Sequence, residues 1–402
     1  MANAALCQLS YAPGDGSVRI DSSANKQEPI AAWTAAETAL VRRSLPVWFR
    51  RFARDLPWKE TRDPYRIWIS EIMLQQTTVA SVKPYFERFL NRFPTVESLA
   101  LASEEEVLRL WEGLGYYSRG RNVRLAARMI VDEFGGVWPR TPDQLQRLPG
   151  VGRYVAGAVA SFAFDMRAPI VEANTLRVYC RLLGFTGDPR NSRGQALLWG
   201  FAETLLPLSA AGPFNQALMD LGATVCTVQS PACPRCPLLT VCRSAALGNQ
   251  DQIPQKAKRP KITDVTELTV AVLHANRVLL RQRGPDERWA GMWDFPRFAC
   301  EASPTPLDSP AFARLIRSQL MAAYGLTVRD LEQILEIKHA VTRYRIRLHG
   351  FRGTWVSTST TRQKTLPADH EWIPLERLID RPLSVTARKL ASLLSPCAPD
   401  AG

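Results

Sequence analysis

Four things are missing or scarce in this 402-residue sequence. No apolar run reaches membrane-spanning length, the N-terminus has no signal-peptide core, and there is no internal repeat or low-complexity tract. Acidic residues are outnumbered: 38 Asp and Glu face 51 Lys and Arg, a formal net charge of +13. The first two absences set the expectation of a cytoplasmic protein without a membrane partner. The third argues against a repeat architecture. The acid deficit favours a polyanionic partner. Disulfides are also not expected. Of eight cysteines, Cys7, Cys180, Cys300 and Cys397 are scattered and four are clustered, which suits a metal site in a reducing compartment better than a secreted framework.

What remains is enough apolar content, 46%, for substantial cores in two or three domains. Residues 1–30 are polar and rich in Gly, Ser and Asp, and are expected to be a disordered leader. Residues 31–243 read as helical, with the first helix interrupted near Pro46. A polar, basic linker spans 244–265, and from there the apolar period turns strand-like, so that 266–396 reads as a smaller α+β domain. Its strands are expected at 268–273 and 278–282, joined by a turn at Ala275-Asn276, and at 331–337, 343–351 and 353–357, with helices near 309–323 and 384–394.

Thr141 to Asn174 organises the helical part. Thr141 reads as a cap with Pro142 in the first turn and Gln144 three residues on. Leu148-Pro149-Gly150-Val151-Gly152 then makes a tight turn into a small-residue helix. Gly150 and Gly152 are expected to take backbone angles closed to other residues, and amides at such a helix start suit a phosphate oxygen. A purely structural hairpin would have the same pattern. Upstream, Asp63-Pro64 starts a helix on which Glu71 interrupts an apolar face of Ile67, Trp68 and Ile72. A carboxylate desolvated there is pushed toward its protonated form, which suits a general acid. Pairing with an arginine would be the bland alternative. Gly113 to Arg121 gathers glycines, two tyrosines and arginines in a loop, as a base-stacking surface or an aromatic-packed turn would. The clustered thiols, Cys226, Cys233, Cys236 and Cys242, are spaced x6, x2, x5. They could enclose a [4Fe-4S] cluster or a zinc ion.

The stretches Leu56–Thr77, Gly113–Arg119, Leu148–Ala158 and Phe214–Cys226, together with the cysteine spacing, closely resemble the MutY family of adenine DNA glycosylases. The resemblance implies a mainly α helix-hairpin-helix glycosylase core with an iron–sulfur loop at 226–242, plus an α+β MutT-like (Nudix-like) C-terminal domain. It implies excision of adenine opposite 8-oxoguanine or guanine in double-stranded DNA by a bacterial cytoplasmic monomer, nucleoid-associated when on DNA. It assigns Glu71 as the acid for adenine N7, with Glu172 and Asn174 near the sugar. Trp58, Lys59 and Gln216 would line the adenine pocket. Gln75, Gln76, Leu114, Tyr116, Gly150 and Gly152 would meet DNA, and the four cysteines would hold a [4Fe-4S] cluster. Tyr154 stands where bifunctional relatives similar to endonuclease III carry a Schiff-base lysine, so base excision without strand cleavage is implied.

Two departures stand out. The family's aspartate is replaced by Glu172, one methylene longer. Its Phe-Ser-His reading loop is replaced by Val341-Thr342-Arg343, which keeps a hydroxyl at Thr342 and gains a fixed cation at Arg343. The tail also lacks the acidic box of active MutT-like hydrolases, so a recognition role is expected. Another mismatch preference, or a non-catalytic lesion-binding protein, are the alternatives.

Overall fold

Capping signals lay out the helical half. In this computed structural model, which describes residues 33–255, 261–300, 310–341, 343–356 and 367–394, Thr34 and Glu37 form a capping box on α1 (Ala35–Phe52). Asp63 caps α2 (Pro64–Leu74), and Thr78, Thr95 and Ser103 cap α3 (Val79–Arg92), α4 (Val96–Leu101) and α5 (Glu104–Trp111). After α6 (Ser118–Asp132), Thr141 and Gln144 box the short α7 (Pro142–Leu145). Then come α8 (Arg153–Phe164), α9 (Ala173–Leu183), α10 (Ser192–Leu205), α11 (Ala211–Thr224) and the short α12 (Arg243–Ala246). The expected leader and Thr342 lie outside the described residues.

The expected interruption at Pro46 does not occur. α1 runs through it, because Val41, Leu45 and Trp48 keep its buried face continuous on both sides. In the α7–α8 turn the two glycines differ. Gly150 has φ +77°, and a Cβ there would lie 2.8 Å from Cβ of Asn122. Gly152, at φ −87°, is open to any residue, and a Cβ there would meet nothing. The expectation of a special backbone angle is therefore corrected for Gly152.

The helices enclose two cores. One gathers α2, α3, α5, α6 and α8 around Trp68, Phe86, Phe89 and Trp111. The other gathers α1, α9, α10 and α11 around Leu45, Tyr179 and Phe214. α11 comes close to the start of α9 at Gly222, where a Cβ would fall 2.7 Å from Cβ of Asn174.

In the tail, β1 (Thr263–His274) runs parallel to β6 (Tyr344–Trp355) and antiparallel to β2 (Arg277–Gln282) and β4 (Arg297–Cys300). β2 also pairs with β3 (Trp293–Asp294) and β7 (His370–Pro374), and β5 (Val328–Val341) pairs with β6. Helices α13 (Pro310–Tyr324) and α14 (Val385–Ser392) cover apolar clusters of the sheet. The turn at Ala275-Asn276 is found. The strands expected at 343–351 and 353–357 fall on one strand as far as Trp355, with Gly353 paired opposite Val272; residue 357 lies outside the described residues. Met292 is fully buried in the first helical core, and Trp289 packs against that core. Arg388 donates to Glu112 at 2.7 and 2.9 Å, and Arg381 donates to Glu105 at 3.1 and 3.2 Å. No described helix is long and apolar enough to cross a membrane.

Candidate active site

A cavity of about 660 Å³ opens between α2, α8, the start of α9 and α11. Glu71 reaches it from the buried face of α2 and is only 3% exposed. Tyr154, in the first turn of α8, donates its phenol to Oε2 of Glu71 at 2.5 Å. Burial, aided by the nearby charge of Glu172, pushes the Glu71 carboxyl up to about 7; the Tyr154 bond and Lys59 oppose that rise. The same burial and the neighbouring carboxylates raise the Tyr154 phenol well above its ordinary value.

Glu172 caps α9. Its two carboxylate oxygens accept from the backbone amides of Asn174 and Thr175 at 2.8 and 2.9 Å. Burial raises its pKa in spite of those two bonds and of Arg177 and Arg54. Asn174 also lines the cavity, and its side-chain oxygen accepts from Arg177 at 2.9 Å. The two carboxylates thus share a cavity in different settings: one bonded by a single phenol, the other by two amides at a positive helix end.

The sequence-predicted residues Trp58, Lys59, Gln75, Gln76 and Gln216 line the same cavity. Leu114 does not: it is buried in the first core. Tyr116 is half exposed on the neighbouring loop, and Gly150 and Gly152 lie in the α7–α8 turn. Arg343 is exposed in the tail, stacked over Tyr344.

Sequence reasoning missed Asp220. It is fully buried on α11 and accepts from the backbone amide of Arg54 at 2.9 Å, from Nε of Arg54 at 2.7 Å and from Nζ of Lys59 at 2.5 Å. Burial lowers the Lys59 pKa, against the pull of Asp220. One signal was available: Asp220 lies four residues after Gln216, on the same face of a helix.

The four clustered cysteines lie beyond α11, and Cys226, Cys236 and Cys242 pack on the edge of the second core. Arg181 donates to Sγ of Cys226 at 3.3 Å and to the Thr227 carbonyl at 2.7 Å, and Arg177 donates to the Cys226 carbonyl at 2.7 Å. Among the described residues, no three His, Cys, Asp or Glu side chains are placed to hold a single metal ion. A cluster asks for something different, one thiolate on each of four irons, so the sulfurs need not converge on one point. Burial raises the Cys233, Cys236 and Cys242 thiols above their ordinary value, and neighbouring thiols add to the rise; four soft sulfur donors in one loop are of the type that an iron–sulfur cluster takes.

Comparison with known proteins follows the same division. The family model of the HhH-GPD superfamily base excision DNA repair protein matches residues 69–203, and that of the NUDIX domain matches 268–393. An adenine DNA glycosylase of Buchnera aphidicola subsp. Schizaphis graminum is 37% identical over 61% of this chain and 71% of its own length. The chain belongs to the adenine DNA glycosylase family. The rat and human adenine DNA glycosylases are each 42% identical over 67% of this chain, but over only 53% and 51% of their own lengths. The chain therefore spans about half the length of these mammalian family members. A solved thermostable thymine-DNA glycosylase is 31% identical over 53% of this chain and 98% of its own, with a TM-score of 0.49.

Proposed function

We propose that this chain excises adenine from double-stranded DNA where it stands opposite 8-oxoguanine or guanine, as a bacterial cytoplasmic monomer. The observation that carries this is the bond between Tyr154 and a buried Glu71 whose pKa is about 7, in one cavity with Glu172. Near neutral pH a sizeable fraction of Glu71 is protonated. With the adenosine flipped into the cavity, Glu71 gives its proton to N7. The C1′–N9 bond breaks, its electron pair leaves with the base, and the sugar becomes an oxocarbenium ion. Ionised Glu172 offsets that charge. Water adds to C1′, and its proton returns to Glu71. Tyr154 offers no amine for an imine, so the abasic strand stays intact. Gln76 and Tyr116 would enter the duplex beside the target step, the α7–α8 turn would hold a phosphate above the open space at Gly152, and Arg343 would meet DNA from the tail.

Cys226, Cys233, Cys236 and Cys242 would hold a [4Fe-4S] cluster. Bound, it supplies a rigid cross-link that fixes the loop after α11. No electron is needed in the hydrolysis.

The test is base release under single-turnover conditions from duplexes carrying A opposite 8-oxoguanine, A opposite G, A opposite T, and T opposite G. Adenine release from the first two is expected. Release of thymine alone would make the chain a mismatch glycosylase of another preference. Tight binding with no release of any base would make it a lesion-binding protein.

A further inference from the structure

Arg119 is buried at the base of the Gly113–Tyr117 loop, and its two terminal nitrogens bond two separate segments, mostly through backbone carbonyls. Nη1 donates to the carbonyls of Ile72, Met73 and Gln75, at 2.9, 3.0 and 2.5 Å. Nη2 donates to the Leu114 and Gly115 carbonyls at 3.4 and 3.1 Å and to the Thr77 hydroxyl at 3.3 Å. No carboxylate pairs with it among the described residues. Its charge faces the carbonyl end of α2 instead, where the helix dipole is negative.

Each segment ends in a strained residue. Gln76, next to the Gln75 carbonyl, has φ +56°, and Tyr116, next to the Gly115 carbonyl, has φ +48°. Non-glycine residues hold such angles only when their surroundings fix them. Both side chains are exposed, whereas Arg119 is not. The Arg119 guanidinium also lies 5.4 Å from the Tyr116 ring centroid.

We infer that Arg119 is a positioning residue that locks the Gln76 and Tyr116 segments into one two-pronged wedge, so that the two side chains enter a duplex together and drive the target nucleotide out. This rests on the proposed base excision. It adds that flipping, rather than the chemistry at Glu71, depends on a residue that touches neither DNA nor base. Only a planar fork spans both segments: the lysine ammonium, a single point donor, can serve one set of carbonyls but not both.

Flipping is read with 2-aminopurine beside the target adenine, by stopped-flow fluorescence. A Glu71→Gln background keeps the base from being released. Adding Arg119→Gln or Arg119→Lys is expected to slow the fluorescence rise by on the order of ten- to a hundredfold, the scale set by misplaced groups. Amide hydrogen exchange should quicken at 75–77 and 113–117 in both variants. Thermal melting reports the fold. An Arg119→Lys protein that melts like the parent but flips slowly supports the proposal. One that flips at the parental rate overturns it, whatever its melting temperature. If Arg119→Gln does not fold, Arg119→Lys and its exchange pattern still decide. Absence of adenine release from any mismatch by the parent chain would sink the excision reading separately, while the flipping signal could still be measured.

Discussion

The phenol of Tyr154 points its proton at Oε2 of Glu71 from the first turn of a different helix. That bond favours the ionised carboxylate, while burial favours the acid, and burial prevails, with the pKa at about 7.

Release that needs protonated Glu71 should therefore fall as pH rises through about 7. Tyr154→Phe removes the bond that holds the pKa down, so the alkaline limb of the single-turnover pH–rate profile should move to higher pH. An unmoved limb would detach Tyr154 from the acid. The same burial bears on stability. The native state holds this proton more tightly than the unfolded chain, whose value is near 4.5, so the stabilisation is complete below pH 4.5 and lost as pH rises through about 7. The gap is worth about 3 kcal/mol. Glu71→Gln should melt above the parent at pH 8.5, with the difference shrinking at pH 5, and should release no base while still binding mismatched DNA.

Glu172 should set the acid limb of the same profile, above the ordinary carboxylate range, because burial raises its pKa. Glu172→Gln loses the charge and one of the two amide bonds that cap α9. A melting change of about 1 kcal/mol is expected from the cap, with most of the release rate gone. Glu172→Asp keeps both charge and cap, and should stay within about tenfold of the parent. Full activity in Glu172→Gln would end its electrostatic role.

Anaerobically purified protein should be brown and carry about four irons per chain, the content of the proposed cluster. Cys236→Ser should bleach the colour and loosen the loop that Arg177 and Arg181 hold. Stoichiometric zinc without sulfide would refute the cluster.

The tail should not be a free appendage. Met292→Ala, at a fully buried site in the helical core, should cost about 2–5 kcal/mol and lower a melting transition shared by both halves in calorimetry. Two independent transitions, with only the tail affected, would contradict docking.

The helices and the site's first residues are legible in the sequence because their signals are local. Caps, a proline in the first turn and a lone carboxylate on an apolar stripe give α2 and Glu71. Tyr154 and Glu172 carry no such local signal and come only from the family resemblance. Pairings across the chain carry no local signature. Asp220 meets Lys59 across 161 positions, and Arg381 meets Glu105 across 276. Arg119 closes the Gly113–Arg119 stretch, yet its reach back to Ile72 is visible only in space. Pro46 misleads for the same reason: a local breaker yields when burial continues on either side.

Asp220 has a consequence for how charge moves in the cavity. With Arg54, Lys59 and, beside Glu172, Arg177, it leaves two positive charges, of which an ionised Glu172 balances one, while a protonated Glu71 adds none. The compartment keeps a net positive charge before the bond breaks. Proton transfer to the base and loss of the base from the sugar only redistribute charge inside it. Added salt, which competes for the phosphate contacts made outside, should weaken capture of the duplex steeply and leave the rate of the bond-breaking step in the bound complex nearly flat.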